Sequence, residues 1–221
     1  RLGAQRPGEF LSLVHRLDRE TSGLLLVART PEADRAFKRL LEDRSVAVAT
    51  ESAAGPARAR AEDVPAVEKT YLAITWGVPR SETIDLPLEL EPDHPLRVKM
   101  RVAAPGSGLP ARTGLSVLEQ KAGYALVACD LFTGRQHQIR VHLAGVGCPV
   151  VGDKLYGPDE RLLARAADGE LSEDDLARLE LTRHALHAHR YVLPHAITAD
   201  PLVLESPLPA DLLAFWEGRS G

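Results

Sequence analysis

Apolar residues along this chain come mostly in short runs or alternate with polar residues, and Gly or Pro separates one run from the next. The run 22–28 (SGLLLVA) predicts a buried strand. Further strands are predicted at 69–76, 96–102, 113–120, 124–132, about 186–193 and about 201–205. Because the connections between successive segments are short, we expect neighbouring strands to be antiparallel.

Helices are predicted where start signals or a helical spacing of apolar residues replace the strand pattern. Thr30-Pro31-Glu32 supplies a capping hydroxyl, a first-turn proline and an early acid for a helix that should run to about Arg44. The other helical segments are 136–145, a short helix or pair at about 158–180, and 209–217. Within the second of these, Ser172-Glu173-Asp174-Asp175 resembles a capping box.

The stretch 45–68 has little periodicity and is rich in Ala, Arg, Glu, Gly and Pro. This composition favours a long surface loop or a partly disordered insertion. Strands with inserted helices, rather than a strict alternation of the two, predict one α+β domain over residues 1–221. Its sheet should be mixed and mostly antiparallel, with helices flanking it.

Composition narrows the classes of function that the chain can have. Its 221 residues are 44% hydrophobic and 26% charged, as in ordinary soluble globular domains. No apolar run approaches the ~20 residues that span a bilayer, so we expect no membrane partner. The net charge of -4 argues against binding nucleic acid by bulk charge, although a local basic groove stays open. Cys129 and Cys148 lack metal-type spacing, and we expect buried free thiols in a reducing, cytoplasmic setting.

The segment from His15 to Leu25 (HRLDRETSGLL) is the first candidate for chemistry. It places one carboxylate, Asp18, between Arg16 and Arg19, just ahead of an apolar run. A carboxylate beside basic groups stays ionised at neutral pH and can act as a nucleophile. The alternative from these residues alone is a salt-bridged turn before a strand.

The segment from Thr133 to Leu143 (TGRQHQIRVHL) is the second candidate. Hydrogen-bond donors crowd a short predicted helix, namely Arg135, His137, Gln138, Arg140 and His142. Such donor density near a helix N-terminus suits a phosphate or a carboxylate. The alternative is a solvated amphipathic helix with Ile139 on its apolar side.

Four blocks together give the chain a resemblance to a known family: HRLDRETSGLLL, KTYLAITWG, TGRQHQIRVHLAGVGCPVVGDKLYG and LHAHRYVLPH. In order and spacing they resemble the RluA-type family of RNA pseudouridine synthases, from His15 to about Pro209. The resemblance implies one catalytic domain with a central active-site cleft. It also implies that a uridine within RNA is isomerised: the N1–C1′ bond breaks, the uracil rotates, and C5 joins C1′.

The resemblance implies roles for individual residues. Asp18 would be the catalytic carboxylate, either adding to the sugar or deprotonating C2′. Arg16 would fill the gap left by the flipped base, and the Tyr71 ring would stack on that base while its hydroxyl serves in proton transfer. Arg140 would pair with Asp18 and keep it ionised, and Ile139 would form part of the apolar wall under the base.

Further residues would bind the RNA substrate, a ribosomal or transfer RNA. His137, Gln138 and Lys69 are the candidates around the site. Arg97, Lys99 and Arg101 alternate on one predicted strand face, which would line an RNA groove; the alternative is a solvated sheet face. The resemblance implies neither a metal nor an organic cofactor, and we expect a monomer.

Other motifs have plainer interpretations. His184, His187 and His189 have no cysteine or carboxylate at ligand spacing, which disfavours zinc. The 152–157 segment lacks the Walker spacing and is interpreted as a turn that shapes the cleft. Trp76 and Trp216 lie among apolar neighbours and are expected to pack in or over the core.

Two departures and two alternatives remain at this point. Relatives usually carry strands ahead of the HRLD block, and many add an S4 RNA-binding domain; these 221 residues contain neither. Either the sheet lacks an edge, or those residues belong to a longer protein. The 45–68 stretch is also longer than the usual connection.

A non-catalytic RNA-binding module of the same fold is the main alternative function. A carboxylate glycosidase would need a second positioned acid.

Overall fold

The computed structural model describes residues 6–54, 67–195 and 197–220. Its strands are β1 (Ser12–Leu13), β2 (Ser22–Gly23), β3 (Val27–Ala28), β4 (Glu68–Trp76), β5 (Thr83–Asp85), β6 (Leu88–Leu90), β7 (Met100–Val102), β8 (Arg112–Lys121), β9 (Tyr124–Leu131), β10 (Leu186–Pro194) and β11 (Pro201–Glu205). Its helices are α1 (Pro31–Ala54), α2 (Gln138–Gly145), α3 (Leu162–Asp168), α4 (Glu173–Leu179) and α5 (Ala210–Glu217).

The main sheet has the strand order β11-β10-β4-β9-β8-β5, and β2 pairs with β10. Every neighbour along the order is antiparallel, whereas β2 runs parallel to β10. Two small antiparallel ribbons, β1–β3 and β6–β7, lie outside it. The mixed, mostly antiparallel sheet flanked by helices confirms the predicted α+β class.

The centre of the sheet is β4, which lies between β10 and β9. The five residues from Tyr71 to Thr75 are all buried, because layers of side chains cover both faces of the strand. A central strand covered on both sides is expected to be apolar throughout rather than alternating. This burial places the start of β4 against the functional cavity described below.

Gly23 is required where β2 meets β10. Its φ is +107°, and a Cβ at this position would lie 2.2 Å from the carbonyl oxygen of Ala188. Only glycine combines this backbone angle with so close an approach. The glycine therefore lets the chain after Asp18 dock against the middle of the sheet.

The predicted strands at 22–28 and 96–102 are largely wrong. Residues 22–28 form two short strands, because β2 pairs with β10 while β3 pairs with β1. Only Met100–Val102 of the second segment is a strand, since residues 91–99 form a loop between β6 and β7. The short strands β1, β5 and β6 escaped prediction because two or three residues carry too little periodicity.

The 45–68 loop prediction is also wrong where it can be compared. Helix α1 does not end near Arg44 but continues to Ala54. Alanine has the highest helix propensity, and this stretch is rich in it. Strand β4 begins at Glu68, and residues 55–66 lie outside the described residues.

Several other predictions are confirmed. The 158–180 segment is a helix pair, and α4 begins with the Ser172–Asp175 capping box. Trp216 is buried, Trp76 packs against the core, and Cys129 and Cys148 are buried free thiols. Within the described ranges, no helix is both long and apolar enough to cross a membrane.

Candidate active site

Asp18 lies on a loop whose two ends are tied together. The loop leaves β1 and returns at β3, and the Val14 amide donates to the Leu26 carbonyl at 3.1 Å. Within it, the Thr21 amide donates to the Asp18 carbonyl at 3.0 Å, which forms a tight turn. The pairing of β2 with β10 then anchors the loop to the sheet, so the Asp18 carboxylate has a defined position.

His15 stabilises this loop as a neutral imidazole. Its Nε2 accepts a hydrogen bond from the Leu26 amide at 3.1 Å, so that nitrogen carries no proton. Nδ1 lies 3.4 Å from the Arg16 carbonyl, to which it can donate. Burial, reinforced by the charge of Lys69, lowers the pKa of His15 to about 4.

The far side of the Asp18 turn rests on buried polar groups. The Lys154 ammonium, nearly inaccessible to solvent, donates to Glu20 at 2.7 Å and to the Thr182 carbonyl at 2.6 Å. Beside them, Nε2 of His184 lies 2.8 Å from the Thr21 hydroxyl. The loop is therefore held from two sides.

Arg140 meets Asp18 from helix α2. Its Nη1 donates to Oδ2 of Asp18 at 2.9 Å, which confirms the predicted pair. On its other edge, Nε and Nη2 donate to the two carboxylate oxygens of Asp153 at 2.7 and 2.8 Å. Arg140 thus bridges two carboxylates and is held by a bidentate contact to one of them.

Asp153 is a partner of Arg140 that sequence reasoning missed. Its side chain is fully buried, and Oδ1 also accepts from the amides of Leu155 and Tyr156 at 2.9 and 3.0 Å. Burial by itself would raise the pKa of Asp153, but the hydrogen bonds and charge of Arg140 lower it. An acid next to the apolar pair Val150-Val151 was the available signal, because such an acid needs a buried cation.

Tyr71 lies in β4 with its hydroxyl 2.9 Å from the hydroxyl of Tyr191 in β10. Burial, with a further contribution from the charge of Asp18, raises the pKa of Tyr71 to about 12. The Lys69 ammonium lies 5.6 Å from the centre of the Tyr191 ring. Tyr191 was also missed, since its place in an alternating strand marks it only as a core residue.

His137 begins α2 in a left-handed conformation, with φ of +56°. Its Nδ1 lies 2.7 Å from the hydroxyl of Tyr156, which also accepts from the Met100 amide at 2.9 Å. Burial lowers the pKa of His137, so the ring is neutral at pH 7. The guanidinium of Arg140 lies 5.0 Å from the centre of the Tyr156 ring, a cation–π distance.

These side chains surround a cavity of about 910 Å³. All eight residues predicted for the site line it: Asp18, Tyr71, Arg140, Arg16, Ile139, His137, Gln138 and Lys69. The cavity has the volume of a typical small-molecule site. One wall was not anticipated, since α1 contributes Lys38, Leu41, Glu42 and Val46.

Gln138 differs from its expected role as a substrate ligand. Its oxygen accepts from the Thr133 hydroxyl and the Arg135 amide, at 2.7 and 3.0 Å. Its nitrogen donates to the Arg112 carbonyl and the Thr113 hydroxyl, both at 2.9 Å. A buried amide with two donated and two accepted bonds has no capacity left, so Gln138 braces α2 against β8.

The proposed basic strand face is also wrong. Arg97 and Lys99 precede β7 rather than lying in it. Lys99 pairs with Glu91 at 3.1 Å and with Glu160, and Arg101 pairs with Glu89 at 2.8 Å. These ion pairs offset the positive charge that an RNA groove would need. Arg16, by contrast, is exposed at the cavity.

The three histidines of the last block have protein partners. His184 contacts Thr21, His187 contacts the Ser22 hydroxyl at 2.9 Å and the Ser206 carbonyl at 3.0 Å, and His189 contacts the same carbonyl at 2.7 Å. Across residues 6–54, 67–195 and 197–220, no group of three His, Cys, Asp or Glu side chains could hold a metal ion.

The site thus has a carboxylate paired with a buried arginine, beside a buried tyrosine, in a cavity on a mostly antiparallel sheet. The family model described as RNA pseudouridylate synthase matches residues 3–145. The chain belongs to this family.

Individual relatives agree with the family match. The chain is 36% identical to ribosomal large subunit pseudouridine synthase D of Nitrosomonas europaea, over 91% of this chain and 49% of that protein. It is 36% identical to an uncharacterized RNA pseudouridine synthase of Chloroflexus aurantiacus, over 95% of this chain and 52% of that protein. The chain thus spans about half the length of the curated relatives it matches.

A solved structure shows the same fold. Human RNA pseudouridylate synthase domain containing 1 is similar with a TM-score of 0.67 and 25% sequence identity. The similarity covers 93% of this chain and 71% of the human chain.

Proposed function

We propose that this chain is the catalytic part of an RNA pseudouridine synthase that isomerises uridine in RNA. The observation that carries the proposal is the contact of 2.9 Å between Asp18 and Arg140 in the wall of the cavity. Family membership supports the same conclusion. A non-catalytic RNA-binding module would have no chemical need for a carboxylate held by a doubly clamped arginine.

Asp18 is the group proposed to act on the ribose of the target uridine. Its carboxylate either adds to C1′ or removes a proton from C2′, and both routes need an ionised acid close to the sugar. Arg140 orients the carboxylate through its charge-assisted hydrogen bond. The N1–C1′ bond breaks and the uracil rotates. C5 then bonds to C1′ as the Asp18 carboxylate leaves C1′, or returns its proton to C2′, after which the C5 proton leaves and N1 gains a proton.

Tyr71 and Ile139 are proposed to contact the base. Because the pKa of Tyr71 is raised to about 12, its phenol stays protonated at neutral pH. The side chain therefore serves as a stacking surface and hydrogen-bond partner rather than as a phenolate base. Ile139 supplies an apolar wall, being buried yet at the cavity surface.

Arg16, His137 and Lys69 are proposed to bind the RNA around the flipped nucleotide. Arg16 is exposed at the cavity, so it can enter the base stack when the uridine leaves it. We infer that the substrate is ribosomal RNA, because a relative that is 36% identical is named for the ribosomal large subunit. Transfer RNA is the second candidate.

Release of tritium from RNA labelled at C5 of uridine tests the reaction, with ribosomal and transfer RNA transcripts as separate substrates. We expect release by the wild type and none by Asp18→Asn, which keeps the shape of the side chain and removes its charge. Asp159→Asn is the matched control, because Asp159 is a similarly shielded aspartate paired with arginines outside the residues that line the cavity.

Two outcomes would contradict the proposal in different ways. If Asp18→Asn released tritium at the wild-type rate, the assignment of Asp18 would be wrong. If the wild type bound both RNAs tightly but released no tritium from either, the chain would be a non-catalytic binding module.

A further inference from the structure

Asp153 and Tyr156 lie at the two ends of one short turn behind the cavity. Neither residue lines the cavity, yet each contacts a side chain that does. The Asp153 carboxylate also accepts the amide of Tyr156 at 3.0 Å, so the two ends of the turn are held together. The turn therefore forms one unit behind Arg140 and His137.

The contact with Asp153 determines which edge of Arg140 faces Asp18. The guanidinium presents its donors in a rigid planar fork. Asp153 engages Nε and Nη2, at 2.7 and 2.8 Å, which leaves Nη1 for Asp18 at 2.9 Å. Asp153 is itself held by two backbone amides and cannot follow Arg140 if the arginine turns.

The contact with Tyr156 determines which nitrogen of His137 carries the proton. The Tyr156 hydroxyl accepts the Met100 amide at 2.9 Å and lies 2.7 Å from Nδ1 of His137. Burial raises the pKa of Tyr156 and lowers that of His137, so both groups are neutral. Because the hydroxyl already accepts the Met100 amide, its own proton is available to be donated to Nδ1. In that arrangement the His137 proton lies on Nε2.

We propose that the turn from Asp153 to Tyr156 is the positioning element of the site. Asp153 aims Arg140 at Asp18, and Tyr156 fixes His137 as an Nε2–H donor toward the RNA. The substrate group that His137 meets is therefore a hydrogen-bond acceptor, such as a uracil carbonyl or a phosphate oxygen. The proposal rests on the proposed function, because Arg140 and His137 are there given their roles toward RNA.

The Tyr156 arm is tested by Tyr156→Phe, which keeps the ring under Arg140 and removes only the hydroxyl. Nitrogen-15 NMR of the histidine rings in the free protein should show His137 protonated at Nε2 in the wild type. In the variant, we expect a mixture of both tautomers. Tyr124→Phe is the matched control, since Tyr124 donates to Glu180 at 2.7 Å away from the cavity.

The kinetic constants of Tyr156→Phe test whether the hydroxyl also matters for the reaction with RNA. Tyr156→Phe should raise KM for RNA by about tenfold, the value of one lost hydrogen bond, and change kcat by less than about threefold. An unchanged His137 tautomer in the variant, or a wild-type ring protonated at Nδ1, would overturn the role of Tyr156.

The Asp153 arm is tested by Asp153→Asn. Misdirecting Arg140 should lower kcat by about 100-fold and leave KM for RNA within about threefold. The Nε–H resonance of Arg140 should move from its wild-type position. Asp175→Asn is the matched control, because Asp175 is also buried and bonded to an arginine, Arg165, at 2.7 Å.

The controls separate positioning from folding and from the proposed function. Both aspartate variants should lose stability, whereas only Asp153→Asn should lose kcat in its folded fraction. Equal kcat values would overturn the role of Asp153. If the wild type released no tritium, the proposed function would fail, while the NMR signals of Arg140 and His137 would still decide the positioning roles. If the Asp153→Asn chain does not fold, Asp153→Glu takes its place, because it keeps the charge and displaces the carboxylate oxygens from Arg140. A wild-type kcat in that variant would overturn the role of Asp153.

Discussion

Arg140 and Asp18 are 122 positions apart in the chain, and their side chains meet at 2.9 Å. Only 7% of the Arg140 side chain and 17% of the Asp18 side chain are exposed. An ion pair so far removed from water is screened little by salt. Removing the two charges from water costs free energy. The second carboxylate, Asp153, offsets part of this cost with two further charge-assisted hydrogen bonds to Arg140.

Arg140→Lys should inactivate the site although it keeps the positive charge. A lysine ammonium has no planar fork, so it cannot hold Asp153 at two points and reach Asp18 as well. We expect the rate of tritium release to fall by at least about 100-fold and the free energy of unfolding to fall by about 1–3 kcal/mol. Tritium release and chemical denaturation measure the two effects.

Arg165→Lys is the control for this substitution. Arg165 also bridges two aspartates, Asp159 and Asp175, but it is 37% exposed and does not line the cavity. Its replacement should cost less stability and leave tritium release unchanged. Equal losses of activity in the two variants would show that the fork of Arg140 has no special role.

Arg16→Ala should affect structured RNA more than unstructured RNA. If the guanidinium replaces the flipped base, its loss removes stabilisation only where a stack has been opened. We expect kcat/KM to fall by about tenfold or more on a uridine in a helix, and by less than about threefold on an unstructured oligonucleotide. The thermal stability of the protein should not change, since Arg16 is exposed.

Arg19→Ala is the neighbour control, because Arg19 is equally charged and exposed but does not line the cavity. It should weaken binding to both RNAs alike, as expected for a general phosphate contact. If Arg16→Ala had the same uniform effect, Arg16 would be a phosphate contact rather than a substitute for the base.

The core of the site could be predicted because its residues lie in compact motifs. The HRLD and HQIR segments each bring several polar residues together in a short stretch, and the resemblance connected them across the chain. Asp18, Tyr71 and Arg140 were assigned in this way, and the structure brings all three to one cavity. The pairing of Asp18 with Arg140 was implied by the same resemblance, and the two side chains meet at 2.9 Å.

The supporting residues could not be predicted, because their contacts depend on tertiary structure. Asp153 looked like a turn residue, since sequence does not show that Arg140 lies opposite it. Tyr191 looked like strand core until the register of β10 and β4 placed its hydroxyl at Tyr71. Gln138 was assigned to RNA because sequence does not show that Arg112 and Thr113 of β8 accept both of its amide protons.

The boundary of α1 failed for a different reason. The stretch from Ser45 lacks an apolar stripe, and periodicity was the signal used for helices. The helix nevertheless continues to Ala54, through a stretch rich in alanine, which has a high helix propensity. The consequence reaches the site, because Glu42 and Val46 of this helix line the cavity.

Gly23→Ala should prevent the Asp18 loop from docking on the sheet. The new Cβ would lie 2.2 Å from the Ala188 carbonyl oxygen, at a φ of +107°. Because the backbones of Gly23 and Ala188 are paired with each other, neither residue can move away without separating β2 from β10. We expect a loss of at least about 3 kcal/mol in the free energy of unfolding, measured by chemical denaturation.

Gly123→Ala separates backbone strain from steric conflict. Gly123 has φ of +89°, and a Cβ there meets nothing within 4 Å. Its replacement should cost only about 1–2 kcal/mol, the penalty for a left-handed backbone. Similar losses at the two positions would show that the approach to Ala188 is not the decisive feature of Gly23.

Low pH should lower the free energy of unfolding, because it protonates His184. Burial, together with the charge of Arg140, lowers the pKa of His184 from its ordinary value near 6.5 to about 4. Glu20 lies only 3.8 Å from Nδ1, but its attraction does not outweigh these effects. A lowered folded-state pKa means that folding favours the neutral ring, which is the partner of the Thr21 hydroxyl.

The contribution of His184 is therefore fully present above about pH 6.5 and is lost as the pH falls from 6.5 through 4. For a group this buried, the loss is on the order of 3 kcal/mol. Chemical denaturation at intervals from pH 7.5 to 4 should show the decline, and His184→Gln should flatten it, since glutamine does not titrate. His15, with a pKa also lowered to about 4, should leave part of the decline in the variant. An unaltered decline in His184→Gln would show that the ring is not a neutral support of the Asp18 turn.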